Sequence, residues 1–441
     1  MIQKSIKEKA RMLILSLIVC LFFTGFAYGT TPTLTAPNAI LMDYETGEIL
    51  FDHNGYEPAY PASTTKVLTA ILVIENLDLD EVITLDYDLF VTGSSMYLLM
   101  GESFTVKELL QSLLIRSAND VAELFANHIS GSVEEFAKLM NQRAKEIGAE
   151  NTHFTNPHGL PDTNHISTAY DLALIGRHAM GYEVFREIVS TVSLVFDETE
   201  QTPEKRYFQN TNRFLWGTGR GNQILYNGNY IDIKYDIVDG IKTGWTTASQ
   251  QTLISTAKKN DHRLVAVVLG AQGANIYSDT RAVLDYGFDN FQKLELISNN
   301  SLGAEATVLK GKVDTIQLYS DNDLSAVVPS NIDINSITKS IELTENIEAP
   351  IDAGSILGKI IFSLDDRTIG EVNLVTNEDV ESKRVLIGNK KVINAFLGIF
   401  ALMIVWQLII GFLRIKKKRR RSLYYGSRHS YNFSKSIMKK R

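Results

Sequence analysis

The chain has a single cysteine, Cys20, among 441 residues, and it stands inside an apolar N-terminal run. A disulfide framework, a thiolate zinc site and a cysteine nucleophile are thereby excluded from the body of the molecule. No His-Glu-x-x-His pattern occurs either, so neither a metal site nor a cofactor is expected, and covalent catalysis would have to use oxygen or nitrogen. Negative charge is missing from one place: Arg414 to Arg441 holds 12 basic residues and no acidic one. The stretch from Thr30 to Leu413 holds 28 basic against 50 acidic residues, a charge of -22 concealed by a net -7 for the whole chain. An acidic body of this kind excludes a basic nucleic-acid-binding surface, and the wholly basic tail points to a membrane or a polyanion. Internal repeats and Pro- or Ser-rich linkers are lacking too, while 44% hydrophobic and 22% charged residues are ordinary for a globular protein of two or three domains.

Two apolar segments frame the body. Lys4, Lys7, Lys9 and Arg11 precede the run Met12 to Phe26, and small residues follow at Ala27 and Gly29. The pattern is that of a secretory signal over residues 1–29, an uncleaved anchor being the alternative. Val19 before Cys20 is too large for a lipidation site. The second segment, Val392 to Leu413, is uncharged over 22 residues, enough to cross about 30 Å of hydrocarbon. Arg414, Lys416 to Lys418 and Arg419 to Arg421 follow at once, which places residues 414–441 on the cytoplasmic side and the body outside. Tyr424, Tyr425 and Tyr431 among these cations imitate a nucleic-acid patch, but attraction to anionic lipid accounts for them with fewer assumptions.

Between the segments, AILMDYETGEILFD (Ala39 to Asp52) reads as a hairpin turning at Gly47. Helices are expected at Thr64 to Leu77, Val106 to Leu114, Asp120 to Ile129, Val133 to Ile147, Ala169 to Met180 and Ser278 to Asn290, with strands at Val238 to Thr247, Gln251 to Ala257 and Arg263 to Leu269. A strand-then-helices-then-strands order predicts an α/β sandwich over residues 30–290, with a mainly antiparallel sheet whose first and last strands are neighbours. From Phe291 to Leu386 short alternating runs broken by Gly and Asp predict a separate small β-rich domain.

Three short motifs stand in order: Ser63-Thr64-Thr65-Lys66, Ser117-Ala118-Asn119 and Lys242-Thr243-Gly244. The first two types recur elsewhere, at Ser336/Lys339 and Ser298/Asn300 for example, so their specificity lies in the combination. Residues i and i+3 share a helix face, which brings the Lys66 amine within reach of the Ser63 hydroxyl. A lysine can take a serine proton only if burial or a neighbouring cation lowers its pKa, and Lys242 could be that cation. Taken alone, Ser63 and Lys66 also fit a serine N-cap with a solvated lysine one turn on. Lys242, Thr243, Gly244 and Trp245 lie on an expected edge strand, where a strand can pair with an extended substrate and a Lys and a Thr can bind a carboxylate. A bulge on a surface strand is the alternative there.

With ILMDYETGEILFDHN, PASTTKVLTA, GSSMYLLMGESFTVKELLQSLLIRSAND, HFTNPHGL, STAYDLALIGRHAM and DGIKTGWT in this order, Ala36 to Asn290 resembles the penicillin-recognising serine D-alanyl-D-alanine carboxypeptidases of peptidase family S11, and more distantly the class A β-lactamases. The region after it is similar to that family's second domain. The resemblance implies a β-lactamase/transpeptidase-like fold, Ser63 as acyl-enzyme nucleophile and Lys66 as its general base. It further implies that Ser117 relays a proton to the leaving amine and that Asn119 binds the substrate amide. Lys242 and Thr243 would hold the terminal carboxylate, Gly244 would admit the substrate, and the Ser63 and Trp245 amides would form the oxyanion hole. His158 is read as a loop-structuring residue. Two departures stand out: Ala248-Ser249-Gln250-Gln251 occupies a place where the family usually has Ala-Gly, and a full span replaces the amphipathic C-terminal helix of many relatives.

The expected function is removal of the terminal D-alanine from peptidoglycan pentapeptides at the outer face of the cytoplasmic membrane, with β-lactams as inhibitors. The rival readings are a β-lactamase and a catalytically silent wall-binding protein.

Overall fold

The computed structural model describes residues 31–383 and 390–437, so the expected signal segment at 1–29 lies outside the described residues. Two compact units are distinguishable: one runs through residue 303 and takes in 319–342 and 358–374, the other comprises 304–318, 343–357 and the residues from 375 on.

The first unit opens with β1 (Asn38–Asp43) and β2 (Ile49–His53), the expected hairpin turning at Gly47, whose φ of 76° places it in the left-handed region. Helix α1 (Lys66–Asn76) follows, then the short strands β3 (Val82–Thr84) and β4 (Ser103–Thr105), and helices α2 (Val106–Gln111), α3 (Asn119–Ser130), α4 (Val133–Ile147), α5 (Ala169–Ala179) and α6 (Glu183–Ser190). Two hairpins come next, β5 (Ser193–Phe196) with β6 (Arg206–Gln209) and β7 (Gln223–Tyr226) with β8 (Asn229–Asp232). The chain returns to the main sheet through β9 (Val238–Thr246), β10 (Gln250–Lys259) and β11 (His262–Ala271), and α7 (Asn275–Asn290) packs behind it.

The main sheet has the order β2-β1-β11-β10-β9, every pair antiparallel. First and last strands are neighbours, as expected. Its strands read as near-continuous apolar runs because both faces are covered. Along β11, Val265, Val267 and Leu269 enter one core with Ile40, Met42 and Ile254, on the side of α1 to α6. Leu264, Ala266 and Val268 enter the other with Leu41 and Leu253, against α7. This is the two-residue alternation of a strand serving two cores. Helix α1 is buried from Lys66 through Val73, and burying side chains such as Leu68 and Ile71 stabilises the fold by about 1.5–3 kcal/mol each. Among the described residues β9 has a neighbour on one side only, so the main sheet ends on the strand that carries Lys242, Thr243 and Gly244.

From residue 291 to 376 the elements are strands, β12 (Phe291–Ile297), β13 (Leu302–Thr307), β14 (Thr315–Ser320), β15 (Leu324–Pro329), β16 (Thr338–Leu343), β17 (Ile356–Leu364) and β18 (Arg367–Thr376), with one three-residue helical turn at Ile334–Ser336. This is the expected β-rich texture. Within the second unit, the Leu309 amide donates to Ile347 O and the Ala349 amide to Leu309 O, and Lys312 pairs with Glu381. The unit ends in α8 (Lys390–Ile437). Within residues 391–419 of that helix an 18-residue window has a mean hydropathy of 2.5 and no buried share, so the helix is long and apolar enough to cross a membrane.

Candidate active site

Pro61 leads into a tight turn of 3-10 helix, Ala62–Thr65, and the α-helix proper starts only at Lys66. The expected start at Thr64 is therefore early by about half a turn, and the difference matters: at three residues per turn, i and i+3 are eclipsed rather than offset. Lys66 Nζ lies 3.1 Å from Ser63 Oγ. It also donates to Asn119 Oδ1 at 2.6 Å and to the His158 carbonyl at 2.7 Å. Both of those oxygens can only accept, and the Asn119 amide is oriented by its Nδ2, which donates to Thr92 O at 2.6 Å. Ser63 is the one partner able to donate. A neutral Lys66 therefore spends its two N–H bonds on Asn119 and His158 and turns its lone pair toward the Ser63 hydroxyl.

The charge state fits that geometry. Lys66 is wholly buried, and burial first, then the Lys242 cation, hold its amine well below the ordinary lysine range against the opposing pull of Asp120. Lys242, 1% exposed, is itself brought down to about 7 by burial. Its Nζ donates to Thr243 O at 3.0 Å. His158 is pushed down to about 3 by burial and by Lys66, and its Nδ1 accepts from the Leu160 amide, so the ring is neutral and shapes its own loop. His165 Nδ1 accepts from the Thr155 amide, which leaves its Nε2–H to donate to Thr65 Oγ1 at 2.8 Å.

Ser117 closes the π-helical turn Ser112–Arg116 with φ 67°, the left-handed region that a non-glycine residue enters only under constraint. Its hydroxyl and that of Ser63 line one cleft of about 480 Å³ with Ser94, Thr211, Arg213, Thr243, Gly244, Trp245, Gln251 and Tyr277. Of the residues singled out in the sequence, Ser63, Ser117, Thr243, Gly244 and Trp245 line the cleft, whereas Lys66, Asn119 and Lys242 lie buried beneath it. Gly244 is required sterically, since an added Cβ would stand 2.8 Å from the Ser63 backbone nitrogen. The cleft lining contains no carboxylate. The Gln250–Gln251 departure proves local: Gln250 takes φ 55° as β10 begins, Gln251 reaches the cleft, and β10 still pairs with β9 from Gln250 to Ala257.

Sequence reasoning missed Arg213, Thr211 and Tyr277. Arg213 sits in a short 3-10 turn capped by Asn212, with its guanidinium held by Asn222 Oδ1 and Gly221 O and stacked on Tyr277. No carboxylate pairs with it among the described residues, which leaves a cation facing the cleft beside Thr243. A lone Arg in a turn gives no sequence signal.

Residues 27–273 match the D-alanyl-D-alanine carboxypeptidase family model of peptidase S11, more than half of the chain. The chain belongs to this family. Residues 291–382 match the C-terminal domain of penicillin-binding protein 5. Among curated proteins, the chain is similar to the D-alanyl-D-alanine carboxypeptidase DacF of Bacillus subtilis, 34% identical over 353 residues, 78% of this chain and 86% of that protein. Among solved structures, penicillin binding protein 5 from Haemophilus influenzae aligns with a TM-score of 0.66 at 28% identity, over 80% of this chain and 99% of that one. The Streptomyces K15 DD-transpeptidase aligns with a TM-score of 0.51 at 26% identity over 59% of this chain and 99% of that one.

Proposed function

We propose that this family member is a serine D-alanyl-D-alanine carboxypeptidase acting on peptidoglycan pentapeptide stems, and that β-lactams acylate the same serine. The single observation that carries the reading is the 3.1 Å approach of Lys66 Nζ to Ser63 Oγ in a buried site where burial and the Lys242 cation lower the proton affinity of Lys66. Lys66 removes the Ser63 proton as Oγ attacks the carbonyl of the penultimate D-alanine. The oxyanion forms against the Ser63 and Trp245 amides. The C–N bond then breaks, Ser117 passes a proton to the departing D-alanine amine, and water hydrolyses the ester to free Ser63. Asn119 and the open edge of β9 align the substrate, Gly244 leaves room for its backbone, and Thr243 receives the terminal carboxylate against the cationic background of Lys242 and Arg213.

The domain scheme belongs to the same proposal: a cleaved signal at 1–29, a catalytic domain at 30–290, a β-rich domain at 291–386, a single span at 392–413 and a cytoplasmic tail at 414–441. The catalytic domain then faces the wall. A cleft lining without a carboxylate disfavours the β-lactamase alternative, which needs a base to activate the deacylating water.

The test uses the full chain in detergent, a fluorescent penicillin and a peptide ending in D-Ala-D-Ala, alongside Ser63→Ala. Lasting label and D-alanine release, both lost in the variant, support the reading. Rapid loss of label would indicate a β-lactamase, and no label at all a silent binding protein.

A further inference from the structure

Directly after Asn119 stands Asp120, 4% exposed, a carboxylate that forms no ion pair among the described residues. Besides the Val121 amide, which donates to Oδ1 at 3.0 Å, its oxygens are occupied by the segment 95–98. Oδ2 accepts from Ser95 Oγ at 2.6 Å and from the Leu98 amide at 3.1 Å, and Oδ1 accepts from the Met96 amide at 3.0 Å. A buried anion satisfied by backbone N–H groups fixes the path of that backbone, because releasing it would leave the charge unsolvated. The path is strained enough to need such a tether: Tyr97 adopts φ 62°.

The residues just before this segment grip Asn119. The Thr92 carbonyl accepts from Asn119 Nδ2 at 2.6 Å, the Ser94 carbonyl accepts from the Asn119 amide at 2.8 Å, and Gly93, at φ 90°, lies so near that an added Cβ would stand 2.9 Å from Asn119 Nδ2. The Thr92 contact decides which end of the Asn119 amide faces Lys66. A continuous chain of contacts thus runs from the Asp120 carboxylate through residues 92–98 to the Asn119 amide and on to the Lys66 amine.

We propose that Asp120 is a positioning residue of the active site: its carboxylate folds the 95–98 segment around itself, and the preceding residues 92–94 thereby hold the Asn119 amide in the orientation that receives Lys66. Asp120 touches no substrate and acts on Lys66 in two ways, through that chain and through its charge. The charged and titratable groups around Lys66 are Lys242 on β9, which lowers its proton affinity, Asp120 on α3, which raises it, and the neutral rings of His158 and His165 in the loop across the site. Arg116 meets the same segment through its Nε, which donates to Ser95 O at 3.3 Å.

The inference rests on Lys66 being the base for Ser63, and its test separates the two ideas. The second-order rate of labelling by a fluorescent penicillin is measured from pH 5.5 to 9 on the full chain in detergent, for wild type, Asp120→Asn and Ser95→Ala, with folding followed by thermal melting. If wild type does not label, the proposed function fails. If it labels, Asp120→Asn is expected to lose at least about tenfold in rate through misplacement. Its acidic limb is expected at lower pH by about half a unit, since removing a nearby negative charge makes Lys66 easier to deprotonate. Ser95→Ala, which keeps the charge and removes one tether, is expected to lose rate with the limb unmoved. An Asp120→Asn protein that labels at the wild-type rate, or whose limb stays in place, overturns the inference. Should Asp120→Asn fail to fold, Ser95→Ala decides alone: labelling at the wild-type rate overturns it.

Discussion

Lys66 Nζ donates to Asn119 Oδ1 across 2.6 Å, joining residues 53 positions apart in a site where both lysines are buried. Neither lysine is solvated, and the Lys242 charge lowers the proton affinity of Lys66.

The first prediction concerns pH. A base must be neutral, so penicillin acylation should rise with pH through an acidic limb well below the ordinary lysine value of about 10.4. Lys242→Met removes the cation that helps keep Lys66 neutral; Lys66 then binds its proton more tightly and the limb should move to higher pH. The same variant should raise stability at pH 7 by about 1 kcal/mol or more, read from melting curves. Lys242 titrates near 7 when folded and near about 10.4 when unfolded, so the unfolded chain binds more protons across that window. The wild-type deficit should accordingly shrink as pH rises through it.

Gly159→Ala should be among the most damaging single substitutions away from the reacting groups. Gly159 has φ 84°, and an added Cβ would overlap the Ala62 carbonyl next to Ser63. A loss of about 3 kcal/mol or more in urea unfolding is expected, with labelling reduced in whatever fraction remains folded.

Glu102 and Arg206 form a buried ion pair in which the Arg206 NH2 group donates to both carboxylate oxygens, at 2.5 and 2.7 Å. Glu102→Ala strands that guanidinium and should cost about 3–5 kcal/mol, whereas the double replacement Glu102→Met with Arg206→Met should recover most of it. Burial pushes the Glu102 carboxyl up, but Thr199, the Leu99 amide and Arg206 outweigh it and bring it down. Its contribution is therefore present above the unfolded value of about 4.3 and lost as pH falls through the folded one. Equilibrium unfolding at pH 7 and pH 3 checks both statements.

Arg213→Gln tests the cation beside Thr243. If it attracts the terminal carboxylate, KM for a D-Ala-D-Ala peptide should rise about tenfold at low salt with a smaller effect on kcat, and the difference should shrink in about 0.5 M salt. An unchanged KM would remove Arg213 from carboxylate binding.

Much of the main architecture was legible because its signals are local. The unbroken apolar run Leu264 to Leu269 announces a strand buried on both faces, and Val133–Ile147 was bounded correctly by Ser132 and Gly148, its two caps. The short helix Glu183–Ser190 and the two hairpins between Ser193 and Asp232 were missed, because eight residues or fewer carry too little periodicity to separate helix from strand. At the site, Ser63 and Lys66 were legible as an i, i+3 pair, although the tight turn that aligns them was not. Arg213 and Asp120 were invisible for another reason: what each touches is set by chain segments 9 to 64 positions away, contacts that no local window contains.

β9 ends the main sheet with one edge unpaired among the described residues. On the proposed reading, a substrate that docks there is held chiefly by its own peptide groups, and peptide groups are the same whatever side chains they bear. Such an enzyme is strict about chirality and about the chain end, yet indifferent to the residues further upstream. Stems differing at the third position should be trimmed at comparable rates, and the open edge gives other extended peptides a foothold as weak competitors.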